Sequence, residues 1–304
     1  MLSNDITRYV ELHRAMGLKF RQQACLLRHF ASFAMARGDC CVLVETAVGW
    51  AREAPSTAQR HERLQVVRRF ARHMQAEDER YEVPPAHAFG KPKRRRRMPH
   101  IYTPDEIARL LGAAAQLTPR GSIRPPTYVT LFALIASTGL RISEALSLQL
   151  DDITGDGLII RQTKFRKTRL VPLHTTAQRG LECYLALRSK LGGTDRSFFV
   201  SLRRTKLSYV TVSHVFLELV RSIGLRGGPG SPGPCIHDLR HTFAVRALEK
   251  CDGGDEEVSR HILALSTYLG HAHPSDTYWY LQATPKLMDG IARAGEALFE
   301  GGGA

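Results

Sequence analysis

The chain has 304 residues, 43% of them hydrophobic, and its 43 Lys and Arg outnumber 29 Asp and Glu to leave a formal charge of +14. That length suits two domains, and that apolar fraction is ordinary for a globular fold. No apolar run is long enough for a bilayer, and MLSNDITRYVELHR has neither the basic nor the apolar region of a signal peptide. The six cysteines form no CxxC pair and no regular spacing, which reads as a reduced cytosolic chain with incidental thiols. The charge excess points to a polyanionic partner, nucleic acid or an anionic membrane surface, and no lipidation signal supports the second.

Residues 3–37 predict two amphipathic helices, one facing its core with Ile6, Tyr9, Val10 and Met16, the next with Leu26, Leu27, Phe30, Phe33 and Ala34. A short helix over 44–54 follows. Residues 55–74 begin with a Pro-Ser-Thr cap signal and repeat Leu64, Val67, Phe70, Ala71 and Met74 at helical spacing. The same helix carries Arg60, Arg63, Arg68, Arg69 and Arg72, either a solvated face or a face laid on phosphates; the net charge favours the second. In VPPAHAFGKPKRRRRMPH, prolines break any helix, and Lys91, Lys93, Arg94, Arg95, Arg96 and Arg97 crowd like charges that repel into an extended chain. This predicts a basic linker, 85–100, lying along DNA phosphates, between a helical DNA-binding domain, 1–84, and a second domain, 101–304. A plain solvated linker and a nuclear-import tag are the other readings of that run.

The second domain opens on IYTPDEIARLL, where Thr103 and Glu106 form a capping box with Pro104 at the first helical position. An apolar helix is expected over 127–138. Strands are expected over 157–164 and 168–173, joined by a short basic turn, then helices over 175–191, 209–223, 237–250, 256–269, 275–282 and 285–298. One small antiparallel sheet among many helices makes the chain mainly α, an α+β fold.

Phosphate-loop, dinucleotide, HExxH and paired-cysteine zinc patterns are all missing from the sequence. Basic residues in distinctive contexts are present instead. STGLRISEALSL sets Arg141 just after a glycine turn, and CIHDLRHTFAV puts His237, Arg240 and His241 on one helix face. LGHAH sets His271 just past a helix-ending glycine. Arginine forks that converge with a lysine and histidines match a phosphate and stabilise the charge added in a pentacoordinate transition state. Taken singly each motif is weak: Arg141 fits a helix cap, His241 a packed core histidine, and an aromatic run a core. Ser275 caps a helix through DTYWYLQ, and at about 100° per residue its two tyrosines, Tyr278 and Tyr280, point roughly 200° apart. They cannot share one pocket.

The order TGLRISEAL, TKFRKTRLVPL, HDLRHTFA, LGH and then a tyrosine nine residues on resembles the tyrosine recombinase, or phage integrase, family over roughly 103–285. The N-terminal helices resemble that family's core-binding domain more loosely. The resemblance implies that Arg141 and Arg240 grip the scissile phosphate and that Lys164 protonates the leaving 5′-oxygen. It makes His237 a phosphate partner that takes the tyrosine proton, His271 a second phosphate ligand, and Glu144 the group that orients an arginine. Arg166, Lys167 and Arg169 become DNA-backbone contacts, Lys167 also standing as a substitute for Lys164, while His273 matches nothing. The pattern T-x-x-Y selects Tyr280, through Thr277, as the nucleophile. A phenol of pKa ~10 needs a cationic site or a base to attack at neutral pH, and the arginines with His237 supply one.

By the same resemblance the chain breaks and rejoins double-stranded DNA through a 3′-phosphotyrosyl bond, with no metal or cofactor, as a homotetramer or mixed recombinase assembly on synapsed sites in the cytoplasm, at the nucleoid. That implies integration, excision or transposition of a mobile element. A silent DNA-binding protein on the same fold and a type IB topoisomerase that swivels strands are the rivals; six filled positions speak against the first, the core-binding helices and LGH against the second. The segment between HDLRH and LGH is several residues longer than the family pattern, and RGGPGSPGP precedes HDLRH. The helix over 285–298 docks on its own domain or on a neighbour.

Overall fold

The computed structural model describes residues 2–90, 97–161, 168–193, 195–250 and 255–270, together with Thr277 and Tyr280. The chain divides into two compact units, Met1–Arg96 and Arg97–Ala304, each with its own apolar core.

In the first unit α1 (Leu2–Ala15), α2 (Arg21–Ala36), α3 (Val44–Arg52) and α4 (Thr57–Gln75) follow the predicted helices within a few residues. Ser56 caps α4 by accepting from the Gln59 backbone N–H at 3.2 Å, which satisfies one of the orphan donors of a helix start. Leu27, Phe30, Trp50, Leu64, Val67 and Phe70 meet in the core. Met16 does not join them: α1 ends at Ala15 and Met16 is 61% exposed.

The second unit starts with α5 (Pro104–Ala115), whose capping box is complete on both sides. Next come α6 (Arg124–Thr138), the single turn α7 (Ile142–Ala145) and a 3-10 turn at Leu150–Asp152. Three short strands, β1 (Ile153–Thr154), β2 (Gly157–Ile160) and β3 (Arg169–Val171), form an antiparallel sheet in that order. The register pairs Ile153 with Leu158, Leu158 with Val171 and Ile160 with Arg169. β1 was not expected, and the expected strands are longer than those observed; the far end of the first, 162–164, lies outside the described residues. The helices α8 (Thr175–Lys190), α9 (Tyr209–Ser222), α10 (Ile236–Glu249) and α11 (Asp255–Leu269) complete the described elements. The expected helices over 275–282 and 285–298 fall on residues that are not described, apart from Thr277, which is helical, and Tyr280.

The apolar helix α6 packs against α5, α8 and α10, and its buried Leu131, Phe132, Leu134 and Ile135 explain its unbroken apolar sequence. Gly139 ends it at φ 62°. A Cβ there would stand 2.5 Å from Phe243 Cδ1 on α10 and 2.9 Å from Leu269 Cδ2 at the end of α11. Glycine therefore serves twice, in the left-handed turn and in the close approach of three elements. That junction places Arg141.

Candidate active site

Arg141 is the N-cap of α7, just beyond the Gly139 turn. Its Nη1 donates to Glu144 Oε1 at 2.9 Å and to the Leu269 carbonyl at 3.4 Å, and its Nη2 donates to the Gly270 carbonyl at 3.0 Å. Arg240 arrives from α10 and is 1% exposed. Its Nη1 donates to the Gly139 carbonyl at 2.6 Å and its Nη2 to the Leu269 carbonyl at 2.8 Å. Both guanidiniums thus meet on one peptide oxygen at the C-terminal end of α11, where unpaired helix carbonyls attract cations. Burial, then the charge of Arg141, lowers the Arg240 pKa to about 10, with the Tyr280 phenol and Glu144 acting in the opposite sense. The side chain still carries its charge at neutral pH.

Glu144 binds the assembly together. Besides Arg141 it accepts from Arg169 Nη2 at 2.9 Å and Nη1 at 3.2 Å, while Arg169 Nε donates to the Tyr268 carbonyl at 2.9 Å. Burial opposes the charge of Glu144, but the bonds to Arg169 and Arg141 outweigh it and hold the carboxyl below its usual range. Arg169, expected from the sequence to touch DNA backbone, is instead an internal tie from β3 to α7 and the end of α11. Its side chain is 14% exposed and Glu144's is 7%. Gly270 makes room for it: at φ 65°, a Cβ would come 2.8 Å from Arg169 Nη1.

Tyr280 lies beside this cluster and is 2% exposed. It belongs to a buried apolar cluster with Ala244, Val245 and Leu248 of α10 and Ile262, Leu265 and Leu269 of α11. Its backbone N–H donates to the Thr277 carbonyl at 3.0 Å, and Thr277 is fully buried. The Tyr280 hydroxyl stands 3.0 Å from His241 Nδ1. The histidine expected against this oxygen was His237, with His241 in the core. In the structure it is His241, half-buried, that lies on the phenol, while His237, one helical turn earlier and packed on one side only, stacks edge-to-face on His241 with centroids 4.5 Å apart. Desolvation by its neighbours, then the Arg240 charge, keeps His237 below its usual pKa, so its neutral form is favoured.

The structure therefore brings Arg141, Arg240, Glu144, His237 and Tyr280 together and adds His241 and Arg169. Lys164, Arg166, Lys167, His271, His273 and Tyr278 lie outside the described residues, as do Lys91, Lys93 and Arg94–Arg96. Arg97 is described: it donates to the Gly233 carbonyl, and its Nη2 is 3.3 Å from Asp238 Oδ2. On α4, Arg60 donates to the Ala54 carbonyl at 2.8 Å, Arg63 to the Trp50 carbonyl at 3.2 Å and Arg68 to the Pro84 carbonyl. Arg63 also lies over the Trp50 ring, 5.0 Å from its centroid. These three fasten α4 to its own unit, whereas Arg69 and Arg72 are exposed. Arg–carbonyl ties of this kind leave no periodic trace in a sequence. The His241–Tyr280 pair was signalled only by the i+4 spacing of the two histidines.

A mostly helical fold in which a buried and a half-buried arginine meet on one carbonyl, with an acidic brace and a phenol beside them, fits the tyrosine recombinase class. Residues 101–286 match the phage integrase family. The chain is 38% identical over 307 residues to a putative integrase/recombinase, y4rB, of Sinorhizobium fredii, with 97% of each chain covered. It is 33% identical over 214 residues to the tyrosine recombinase XerD of Bifidobacterium longum, covering 66% of this chain and 64% of that one. Among solved structures, a lambda integrase tetramer bound to a Holliday junction has the same fold, with a TM-score of 0.60 at 21% identity over 90% of this chain and 78% of that one. The chain belongs to the phage integrase family.

Proposed function

We propose that this enzyme, a site-specific DNA recombinase, performs its strand exchange with Tyr280 as nucleophile. The Tyr280 oxygen gives its proton to His237 and attacks a DNA phosphate to form a 3′-phosphotyrosyl bond; the P–O5′ bond breaks and a 5′-hydroxyl leaves with a proton from Lys164. A 5′-hydroxyl of another strand then returns its proton to Lys164 and attacks the phosphorus, and the phenol leaves with the proton held by His237. Arg141 and Arg240 hold the phosphate and stabilise the charge that builds on it, with His237 and His271 as further partners and Glu144 as the brace of Arg141. Bond energy is kept in the covalent link, so the exchange is energetically balanced.

The single observation that carries this reading is the meeting of Arg141 and Arg240 on the Leu269 carbonyl, beside a buried tyrosine that the T-x-x-Y pattern selects. A double-stranded DNA partner is supported by the charge of +14 and by the family, and assembly on synapsed sites by the tetramer named above. Action as a homotetramer in the bacterial cytoplasm, on a mobile element, belongs to the same proposal.

The test is a nicked duplex on which the cleaved strand diffuses away and the covalent adduct accumulates. Wild type accumulates adduct; Tyr280→Phe binds the duplex and forms none, while Tyr278→Phe cleaves normally. Adduct at the wild-type level with Tyr280→Phe overturns the assignment, and binding without adduct by the wild type identifies a silent DNA-binding protein. Supercoil relaxation without recombinant product identifies a topoisomerase.

A further inference from the structure

The tyrosine's oxygen meets a histidine that the sequence reading placed in the core. Tyr280 is 2% exposed within an apolar cluster of α10 and α11 side chains, and packing at that burial restricts its rotation. What remains to be set is the direction and proton of the hydroxyl. His241 Nδ1 lies 3.0 Å from that hydroxyl, and its ring centroid is 5.3 Å from the phenol's. The imidazole also meets the His237 ring edge to face, at 82°. His241 also adjoins Arg240 in sequence, so one rigid helix carries both an arginine that reaches the Leu269 carbonyl and the side chain that meets the phenol.

We propose that His241 is a positioning residue for the nucleophile: unprotonated Nδ1 accepts the Tyr280 hydroxyl hydrogen bond and fixes the oxygen relative to Arg240. The neutral imidazole in its Nε2–H tautomer has the acceptor at the required nitrogen. Because Arg240 and His241 are consecutive on α10, the distance between phosphate grip and attacking oxygen is set by helix geometry rather than by a loop. Displacing a reacting oxygen by about 1 Å costs on the order of 100-fold in rate, which is the scale on which loss of this hydrogen bond is read. The proposal rests on Tyr280 being the nucleophile, and the two fail separately.

The experiment uses the full chain and a nicked duplex bearing the site recovered by sequencing DNA covalently trapped on the protein. Single-turnover adduct formation is followed for wild type, Tyr280→Phe, His241→Ala and His241→Asn, with duplex affinity and thermal midpoint measured for each. Asn presents an amide atom near the place of Nδ1 and forms a hydrogen bond, while Ala cannot. His241→Ala is expected to slow the adduct on the order of 100-fold at unchanged affinity, and His241→Asn to recover most of the rate. A second duplex replaces the leaving 5′-oxygen by sulfur, a leaving group that needs no proton; the Ala defect is expected to persist on it, because His241 acts on the attacking oxygen. Adduct at the wild-type rate with Ala, no gain from Ala to Asn, or a defect erased by the sulfur substrate each overturns the proposal. If Tyr280→Phe still forms adduct, it is the nucleophile that has been misassigned.

Discussion

At the scale of single residues, Glu144 shows how one carboxylate, bonded to two guanidiniums, braces a site. It is nearly buried between two guanidiniums, and removing one partner of such a group costs about 3–5 kcal/mol because the remaining charge is stranded. Glu144→Gln keeps the shape and deletes the charge, so it should lower stability by about 3 kcal/mol at neutral pH. The folded pKa is depressed, so the stabilisation is fully present above the unfolded carboxyl value of about 4.3 and is lost as pH falls through the lower folded value. Denaturant midpoints of wild type and Glu144→Gln measured against pH should therefore draw together progressively as pH falls below the unfolded carboxyl value of about 4.3. A gap that stays constant into acid contradicts the ion-pair account. The family resemblance picked out Glu144, one turn after Arg141, but it did not pair Glu144 with Arg169, 25 positions away on β3.

At the scale of elements, the Gly139 turn is the junction on which the site depends. α6 must end there for Arg141 to face α10 and α11, and the Gly139 carbonyl is itself an acceptor for Arg240. Gly139→Ala forces a side chain into a left-handed conformation, at about 1–2 kcal/mol, and drives a Cβ against Phe243 and Leu269. A loss of about 2 kcal/mol or more in chemical denaturation is expected, together with a slower adduct, since both arginine positions shift. A neutral effect on both would show that the junction yields freely. Most helices were legible because apolar residues recur at helical spacing and because Ser56 and Thr103 mark their starts. The short sheet was less legible: strands of two to four residues carry too few alternations to be bounded by pattern.

At the scale of the whole molecule, the charge of +14 is a prediction about salt. Each Lys or Arg that neutralises a DNA phosphate contributes about 0.9 to the slope of log affinity against log salt. Replacing Lys91, Lys93, Arg94, Arg95 and Arg96 by Gln should flatten the slope in proportion to the number of phosphates these side chains neutralise. Arg97→Gln should change it little, because Arg97 is committed to Gly233 and Asp238. Replacing Arg69 and Arg72, the exposed pair of α4, should flatten it further, and Arg60→Gln should chiefly lower stability. An unchanged slope for the five-residue variant removes the linker from the DNA interface. Filter-binding or anisotropy titrations at several salt concentrations measure all of these.

The sequence by itself determined the helical class, the two-unit division and the family, because periodicity, capping residues and ordered motifs are local properties that survive without coordinates. The resemblance to the family, through its T-x-x-Y spacing, makes Tyr280 rather than Tyr278 the expected nucleophile. The tertiary structure decided which cations are committed to internal carbonyls, that Arg169 braces Glu144, and that His241 rather than His237 meets the phenol. Those are contacts between elements distant along the chain. They are fixed by how α6, α10 and α11 converge at Gly139, and a one-dimensional pattern has no term for a shared carbonyl.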